Sequence, residues 1–471
     1  MNSASANSPP ANTTAIAPEI FRAYDIRGVV PDQLNEDNLW SISRAVASEA
    51  LERGITQLLL AHDGRLSSDS LYRVLKEGVL STGCNVIELG LIPTPVLYFA
   101  THHTSCDSGL MLTASHNPAN YNGLKMVFAR TSLTAEQIQS IKARSDAGQI
   151  VDGAGTAEKL DILPDYLATV SSRIKLTRKL RVVVDCGNAV PGVIAPQVFE
   201  QLGCEVIPLY CDVDGRFPNH HPDPTVAANL AQLKEKVLAT KADIGLAFDG
   251  DGDRLGIVTE KGAAVSADQL LMVLAEEILP RYPGAPVVFD VKCSSALAKR
   301  IATLGGVPVM HRSGHSFMKQ KMQETNAPLG GEYSAHIFLQ DRWFGFDDGI
   351  YAAARVIEIL ARQAVKASDL FDHLINGVDT AEIALPVAEQ RKFALMDEIA
   401  AQADFPDANV ITLDGLRVEW PQGWGLLRAS NTSPALLLRF EADDADALED
   451  IKSRFKALIM RADKSIDLNP I

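Results

Sequence analysis

One pattern occurs three times along this chain: an apolar run of strand length that ends in a polar turn and is followed by a stretch of helical character. The three runs begin at Leu58, Val182 and Val287, and a second apolar run that ends in a polar loop follows each of them. Strands that alternate with helices are typical of α/β folds, and a recurring unit is expected to form the same supersecondary structure each time. The pattern therefore predicts three similar mixed α/β domains.

The polar loop after the second apolar run differs from unit to unit. The three loops read T-A-S-H-N-P at residues 113–118, D-G-D-G-D-R at 249–254 and G-E-Y-S-A-H at 331–336. Loops on a rigid scaffold commonly carry function. We expect these three to face a shared central cleft.

The C-terminal part of the chain has another pattern, in which two apolar strands flank the loop R-A-S-N-T at residues 428–432. A helix with an apolar face follows, so we predict a smaller α+β domain that completes the cleft. The first residues are rich in Ser, Ala, Asn and Pro and carry no charge, which indicates a disordered tail and not a signal peptide. The predicted units are a tail (1–18), domain 1 (19–161), domain 2 (162–262), domain 3 (263–375) and domain 4 (376–471).

Composition excludes several classes of protein. The formal net charge of −15 argues against nucleic-acid binding, which needs a basic surface. No apolar run approaches the roughly 20 residues that span a bilayer, so we expect no membrane association. The 6 cysteines show no C-x-x-C spacing, which favours reduced thiols in a cytoplasmic protein. An anionic substrate would require concentrated positive charge in the site.

The aspartate loop favours a divalent metal ion. Asp249, Asp251 and Asp253 alternate with glycines, and three carboxylates this close repel one another unless a cation compensates them. A calcium-binding EF-hand does not fit, because Arg254 stands where that loop needs glycine. A phosphatase of the haloacid-dehalogenase type also begins with Asp-x-Asp after a buried strand, and a solvated acidic turn is the plainest alternative.

The other loops carry groups that suit catalysis or phosphate binding. Ser115 lies in a turn after an apolar strand, where an exposed hydroxyl could act as a nucleophile or carry a covalent group, although a simple polar turn explains it equally well. The loop at 428–432 combines a guanidinium, hydroxyls and an amide, which suits a phosphate dianion. Glu332, Ser334 and His336 alternate and suit hydroxyl recognition, and His336 could also exchange protons.

Together these four loops resemble the signature motifs of the α-D-phosphohexomutases, most closely the bacterial phosphomannomutase/phosphoglucomutase branch. The resemblance runs from about Phe21 to the C-terminal helix, with the four motifs in the same order as in that family. Two departures are visible: Tyr333 and Ala335 in the third loop, where Met or Gln and Gly are expected, and Ala189 in place of a frequent glycine.

The resemblance implies a role for each matched position. Ser115 would carry the phosphoryl group, and Asp249, Asp251 and Asp253, together with an oxygen of the phosphorylated Ser115, would bind Mg²⁺. Lys125 and His336 are candidates for proton transfer, and Arg254 would neutralise charge during the transfer. The implied substrate-binding residues are Tyr24, Arg27, Lys292, His315, Glu332, Ser334, Arg428, Ser430, Asn431 and Thr432.

The implied activity is reversible phosphoryl transfer between C1 and C6 of mannose and glucose phosphates. It would proceed through hexose 1,6-bisphosphate as intermediate and activator, in a monomeric cytoplasmic enzyme of carbohydrate metabolism. Phosphoglucosamine mutase is the nearest alternative. A metal-dependent sugar phosphatase and a calcium-binding module are more remote.

Overall fold

The computed structural model describes residues 16–374, 377–430 and 433–471. Most of the predicted tail lies outside the described residues. Ile16 and Ala17 pack against the hydrophobic core of the first unit, and Pro18–Ile20 form a 3₁₀ helix. Residues 16–18, which the sequence analysis assigns to the tail, are therefore part of the folded structure.

The first unit is built on a mixed sheet. Its strands follow the order β1-β5-β4-β2-β3-β7, with β6 beside β5. The elements are β1 (Ile26–Val29), α1 (Glu36–Glu52), β2 (Gln57–His62), α2 (Ser68–Leu80), β3 (Asn85–Leu91), α3 (Thr94–His103), β4 (Gly109–Leu112), β5 (Tyr121–Phe128), β6 (Thr131–Ser132), α4 (Ala135–Asp146) and β7 (Ala157–Lys159). Helix α1 begins in a capping box, in which the Asn35 side chain accepts from the backbone N–H of Asn38.

The second unit has the sheet order β12-β11-β10-β8-β9. Its elements are α5 (Leu163–Arg173), β8 (Arg181–Asp185), α6 (Ala195–Gln201), β9 (Glu205–Leu209), α7 (Ala231–Thr240), β10 (Ile244–Phe248), β11 (Leu255–Thr259) and β12 (Ala264–Val265). Short 3₁₀ helices cover Val190–Val193 and Ala227–Leu230. Strand β12 pairs with β11, so this sheet extends past the predicted domain boundary at residue 262.

The third unit has the sheet order β14-β13-β15-β16. Its elements are α8 (Ala267–Ile278), β13 (Pro286–Asp290), α9 (Ser295–Thr303), β14 (Val307–His311), α10 (His315–Thr325), β15 (Leu329–Gly331), β16 (Ile337–Leu339), α11 (Gly349–Gln363) and α12 (Ala367–Phe371), with a 3₁₀ helix at Leu279–Arg281.

The three units share one topology, which confirms the predicted repeat. In each of them four strands share one pairing pattern, which starts at β2, β8 and β13. The first of the four pairs in parallel with the second and the third, and the fourth pairs antiparallel with the third. The three polar loops are the turns between the third and fourth strands, at β4–β5, β10–β11 and β15–β16. One continuous hydrophobic core runs through all three units.

The fourth unit is an antiparallel sheet with helices on one face, as the C-terminal pattern predicts. The strands follow the order β17-β22-β21-β20-β19, with β18 beside β22. The elements are β17 (Val378–Asp379), β18 (Ile383–Pro386), α13 (Lys392–Ala401), β19 (Asn409–Ile411), β20 (Leu416–Trp420), β21 (Gly423–Ala429), β22 (Ala435–Ala442) and α14 (Ala445–Ala462). This unit has its own core, to which Leu448, Ile451, Phe455, Leu458 and Ile459 of α14 contribute.

Arginines of the fourth unit hold it against the third. Arg417 donates to the backbone carbonyls of Val291 and Cys293, and Arg439 contacts the carbonyl of Lys292. Both guanidinium groups are almost fully buried, so the interface between the third and fourth units is polar and specific. The cleft lies beside this interface.

All six cysteines carry free thiols, and every one except the half-buried Cys211 is buried. Within the described residues, no helix is long and apolar enough to cross a membrane.

Candidate active site

The four loops line a common cleft with a cavity volume of about 270 Å³. Each of the four units contributes side chains to it, as the sequence predicts for loops at equivalent positions. The candidate residues in its lining are Tyr24, Arg27, Ser115, Lys125, Arg254, Lys292, His315, Glu332, Ser334, His336, Arg428 and Ser430. Asn431 and Thr432 lie outside the described residues.

Ser115 lies where the loops of the first two units meet. Its hydroxyl donates to Oδ2 of Asp249 at 2.7 Å and lies 3.2 Å from Nδ1 of His116. Its backbone has φ of 49°, a region that non-glycine residues adopt only when the surroundings enforce it. The sequence predicts an exposed hydroxyl, but only 2% of the residue is exposed because the aspartate loop covers it.

Gly250 allows this close approach between the two loops. A Cβ at that position would lie 2.1 Å from the carbonyl oxygen of Ser115. The glycine at position 250 therefore has a steric purpose: it lets the two loops approach closely enough for Asp249 to reach the serine.

A buried arginine holds the serine turn in shape, and the sequence analysis missed it. Arg65 donates to the backbone carbonyls of Ser115, Asn117, Pro118 and Tyr121 at distances between 2.6 and 3.0 Å. Its Nε also donates to Asp63. The guanidinium binds four carbonyls of the turn and so fixes its shape. Arg65 therefore supports the position of Ser115, although Arg65 itself does not line the cleft. The only sequence signal was the polar end of the first strand.

We expect Arg65→Met to lower the melting temperature by at least about 5 °C, because it leaves the buried Asp63 carboxylate and several carbonyls without their partner. Arg73→Met is the matched control, since Arg73 is exposed and only loosely paired with Glu36 at 3.9 Å. Thermal unfolding of the two variants measures the difference. Equal melting temperatures would contradict a structural role for Arg65.

The three aspartates form a fully buried cluster whose ligand atoms lie within 4.8 Å of one another. Burial and the neighbouring carboxylates of Asp253 and Asp251 raise the pKa of Asp249 well above its ordinary value. One oxygen each of Asp251 and Asp253 has no hydrogen-bond partner although it is buried. Unpaired buried carboxylate oxygens that face each other fit a divalent cation with oxygen ligands.

Lys125 partly compensates the cluster. Its ammonium donates to Asp251 at 2.7 Å and to Asp253 at 2.6 Å, and only 3% of the residue is exposed. Burial alone would lower the pKa of Lys125, but the two carboxylates outweigh it and raise that pKa well above its ordinary value. Burial also favours the neutral form of Asp251, yet Lys125 lowers the pKa of this carboxyl to about 2.

His336 lies on the opposite side of the cluster. Its Nε2 accepts from Nε of Arg254 at 3.0 Å, and its Nδ1 lies 3.1 Å from Oδ2 of Asp347. Asp347 is fully buried and pairs with Lys319 at 3.1 Å. The sequence analysis missed Asp347, which follows an aromatic segment and belongs to none of the four motifs.

His315 and Tyr24 form another wall of the cleft. The Tyr24 ring packs edge-on against the His315 ring with centroids 4.9 Å apart. Burial lowers the pKa of His315 well below its ordinary value, so this imidazole is neutral near pH 7. Arg27 lies on the same side and donates to the side chain of Asn117, which ties the N-terminal strand to the serine turn.

The third and fourth units contribute further charged and polar groups to the cleft. Glu332 accepts from the backbone N–H of Gly314, and burial raises the pKa of its carboxyl. Arg428 pairs with Asp414 at 3.0 Å, which in turn accepts from the backbone N–H of Ser313. Lys292 has only distant carboxylates, with Asp290 at 3.8 Å, so its ammonium is available to an anion.

One of the two departures from the family pattern has a structural consequence. Tyr333 lies at the edge of the cleft, and the guanidinium of Arg439 stacks on its ring at 3.7 Å from the centroid. Such a cation–π contact links the third loop to the fourth unit. Ala335 adopts a positive φ of 73°, which explains why glycine would be favoured there.

Comparison with known proteins decides the family. Sequence models of the phosphoglucomutase/phosphomannomutase alpha/beta/alpha domains I, II and III match residues 18–150, 164–262 and 266–377, and the model of the C-terminal domain matches residues 382–458. This chain belongs to the phosphoglucomutase/phosphomannomutase family. The resemblance predicted from the four motifs is confirmed.

Relatives of known name match over nearly the whole chain. A phosphomannomutase/phosphoglucomutase of Pseudomonas aeruginosa is 49% identical over 458 residues, which cover 96% of this chain and 99% of the relative. A phosphoglucomutase of Neisseria meningitidis is 45% identical over 448 residues, covering 94% and 97%. The crystal structure of a phosphoglucomutase/phosphomannomutase family protein from Burkholderia thailandensis superposes with a TM-score of 0.92 at 44% identity, covering 97% of this chain and 100% of that one.

Proposed function

We propose that this member of the family interconverts the 1-phosphates and 6-phosphates of mannose and glucose through a phosphorylated Ser115. One observation carries the proposal: the Ser115 hydroxyl lies 2.7 Å from Oδ2 of Asp249, in a buried cluster of three carboxylates that could hold a metal ion. This contact lies in a cleft lined by all four units. The names of the relatives from Pseudomonas and Neisseria support the mannose and glucose phosphates as substrates.

Asp249, Asp251 and Asp253 would hold Mg²⁺ together with an oxygen of the phosphorylated serine. Bound there, the ion would neutralise charge on the transferring phosphoryl group. The unpaired oxygens of Asp251 and Asp253 support this assignment. Three carboxylates leave coordination positions open, and Mg²⁺ commonly fills these with phosphate oxygens.

In the forward half-reaction the bond between Ser115 Oγ and phosphorus breaks, and a bond from phosphorus to the free sugar hydroxyl oxygen forms. The hydroxyl proton passes to His336, the Lys125 ammonium is the candidate donor of a proton to the departing Ser115 Oγ, and the product is a hexose 1,6-bisphosphate. Lys125 and Arg254 border the site of transfer and stabilise the negative charge that develops there. The bisphosphate then turns around and returns its other phosphoryl group to Ser115 Oγ.

The far end of the sugar phosphate would lie against the third and fourth units. Arg428, Ser430, Asn431 and Thr432, with Lys292, would bind the phosphate that does not react. Glu332 and Ser334 would contact the sugar hydroxyls. Because the reacting and resting phosphates exchange places, both ends of the cleft need positive charge, which Arg254 and Arg428 supply.

One chain supplies all four motifs to the cleft, which supports a monomer as the active species. The six free thiols support a cytoplasmic location.

A parallel assay of three substrates tests the proposal and separates its alternatives. We expect mannose 1-phosphate and glucose 1-phosphate to give their 6-phosphates in the presence of Mg²⁺ and a trace of hexose 1,6-bisphosphate, as followed by ³¹P NMR. Preferential conversion of glucosamine 1-phosphate would instead indicate a phosphoglucosamine mutase. Release of inorganic phosphate without isomerisation would indicate a phosphatase.

A further inference from the structure

Asp347 is a buried carboxylate that lies beside His336 of the cleft and pairs with Lys319. It lies in the loop between β16 and α11, opposite Phe338 across an isolated bridge, and has no exposed surface. Oδ1 accepts from Lys319 at 3.1 Å, and Oδ2 lies 3.1 Å from Nδ1 of His336. The adjacent Asp348 has a different task, because it caps α11 by accepting from the backbone N–H of Tyr351.

The contacts of His336 determine which of its nitrogens carries the proton in the neutral ring. A guanidinium can only donate, so the 3.0 Å contact from Nε of Arg254 requires an unprotonated Nε2. The proton must then be on Nδ1, which lies 3.1 Å from Oδ2 of Asp347; neither of these buried atoms has a hydrogen bond elsewhere among the described residues. A carboxylate behind one imidazole nitrogen is the usual means of fixing the tautomer and leaving the other nitrogen as a base.

We propose that Asp347 is a positioning residue that fixes the tautomer and ring orientation of His336, so that the Nε2 lone pair faces the cleft as proton acceptor. The inference rests on the proposed role of His336 in the mutase reaction. A sugar hydroxyl that displaces Arg254 from Nε2 would meet a base already held in the reactive tautomer.

Several other groups face the same carboxylate, and none of them replaces His336 as its partner in the cleft. Lys319 of α10 approaches from behind and lies over the Tyr98 ring, where it balances the charge of Asp347. His315, at the start of α10, is 3.9 Å away. Asp253 lies 3.5 Å from the same His336 nitrogen but is already paired with Lys125.

Asp253, His336 and Asp347 are close enough together to suggest a second metal site. Two ammonium groups, those of Lys125 and Lys319, already pair with the two carboxylates of that group. A metal ion bound to Nδ1 of His336 would also have to displace the proton that the Arg254 contact assigns to that nitrogen, which favours Asp347 as the partner of the protonated Nδ1.

A double-mutant cycle tests the inference. We expect Asp347→Asn to lower kcat by at least about 100-fold with KM changed less than threefold, because the amide no longer selects the tautomer. His336→Ala should lower kcat at least as much, and the double variant should be no slower than His336→Ala. Losses that multiply in the double variant would overturn the inference, as would full activity of either single variant.

A measurement on the unmodified protein keeps the test independent of how the variants fold. In ¹⁵N-edited NMR spectra, His336 should be the Nδ1-protonated tautomer in the intact protein and a mixture in Asp347→Asn. An Nε2-protonated ring in the intact protein would overturn the inference, even if no mutase activity were found. Asp372→Asn, at an exposed aspartate, is the matched control and should leave both kcat and the His336 signal unchanged.

Discussion

Replacement of Ser115 with alanine is expected to lower kcat for glucose 1-phosphate by at least about 1,000-fold, since removing a nucleophile that forms a covalent intermediate costs enzymes this much or more. In the cleft the Ser115 hydroxyl donates to Asp249 of the aspartate cluster, whereas the hydroxyls of Thr225 and Ser313 donate to Asp223 and Asp290, which lie outside that cluster. A coupled assay of glucose 6-phosphate formation measures the effect.

The fold should tolerate this change. Ser115 contributes one side-chain hydrogen bond to Asp249, and its turn is held mainly by Arg65, so the free energy of unfolding should change by about 1 kcal/mol or less. Ser105→Ala, on an exposed loop, is the matched control for activity and for intact mass. Mass spectra of the unmodified protein and the control should show a fraction with one added phosphoryl group that Ser115→Ala lacks. Near-normal turnover by Ser115→Ala would refute the assignment.

The architecture could be predicted from the sequence because the same order of apolar runs and polar loops occurs three times. Each unit contains apolar runs in the same order, and a polar loop follows the third strand of the repeat. Sequence could not show that β12 extends the second sheet past residue 262, because Ala264–Val265 is too short to register as a strand. This segment becomes a strand because β11 lies beside it in the folded chain and pairs with it.

The site was predictable where function is concentrated in a motif. The three aspartates stand out locally, because three carboxylates this close make little sense in an ordinary turn, whereas Ser115 is distinguished only by the four motifs taken together. Arg65 and Asp347 do not stand out, since each acts through partners that are distant in sequence: Arg65 contacts carbonyls about fifty positions away, and Asp347 contacts Lys319 and His336. Both side chains are buried and contact groups that only the fold brings next to them, so their importance becomes visible only in the folded chain.

Sequence also gave the wrong environment for Ser115. A turn residue is expected at the surface, but here the turn of one unit is covered by the loop of the next. The same contact bears on the proposed chemistry: the Asp249 carboxylate that accepts from Ser115 also lies 4.0 Å from Nε of Arg254, so a phosphoryl group on Ser115 would have both the carboxylate cluster and this guanidinium nearby. The chain carries a net charge of −15, yet the cleft concentrates Arg, Lys and His side chains around this point.

The aspartate cluster leads to a prediction in which stability and activity change in opposite directions. We expect Asp249→Asn to lower kcat by at least about 100-fold, because it removes a metal ligand and weakens charge stabilisation in phosphoryl transfer. In the metal-free protein the same substitution should raise the melting temperature by at least about 2 °C near neutral pH, because it relieves repulsion among three buried carboxylates.

The pH dependence of this stabilisation follows from the direction of the Asp249 shift. The pKa of this carboxyl is raised in the folded state above its ordinary value of 3.8, first by burial and then by Asp253 and Asp251. Ionisation of Asp249 therefore destabilises the fold, by an amount that is absent below the unfolded pKa and grows as the pH rises toward the folded pKa. The advantage of Asp249→Asn in chelator should accordingly be larger at pH 8 than at pH 5.

Added Mg²⁺ should reverse the order of stability. We expect the ion to bind the folded protein through the carboxylates and to raise the melting temperature of the unmodified protein, whereas Asp249→Asn should gain much less. Thermal scans at pH 5 and pH 8, with chelator or with Mg²⁺, measure all four cases, and the activity of the unmodified protein should disappear in chelator and return with Mg²⁺. Full activity in chelator, or a variant less stable than the unmodified protein in chelator at pH 8, would show that the three aspartates are not a metal site held together by a cation.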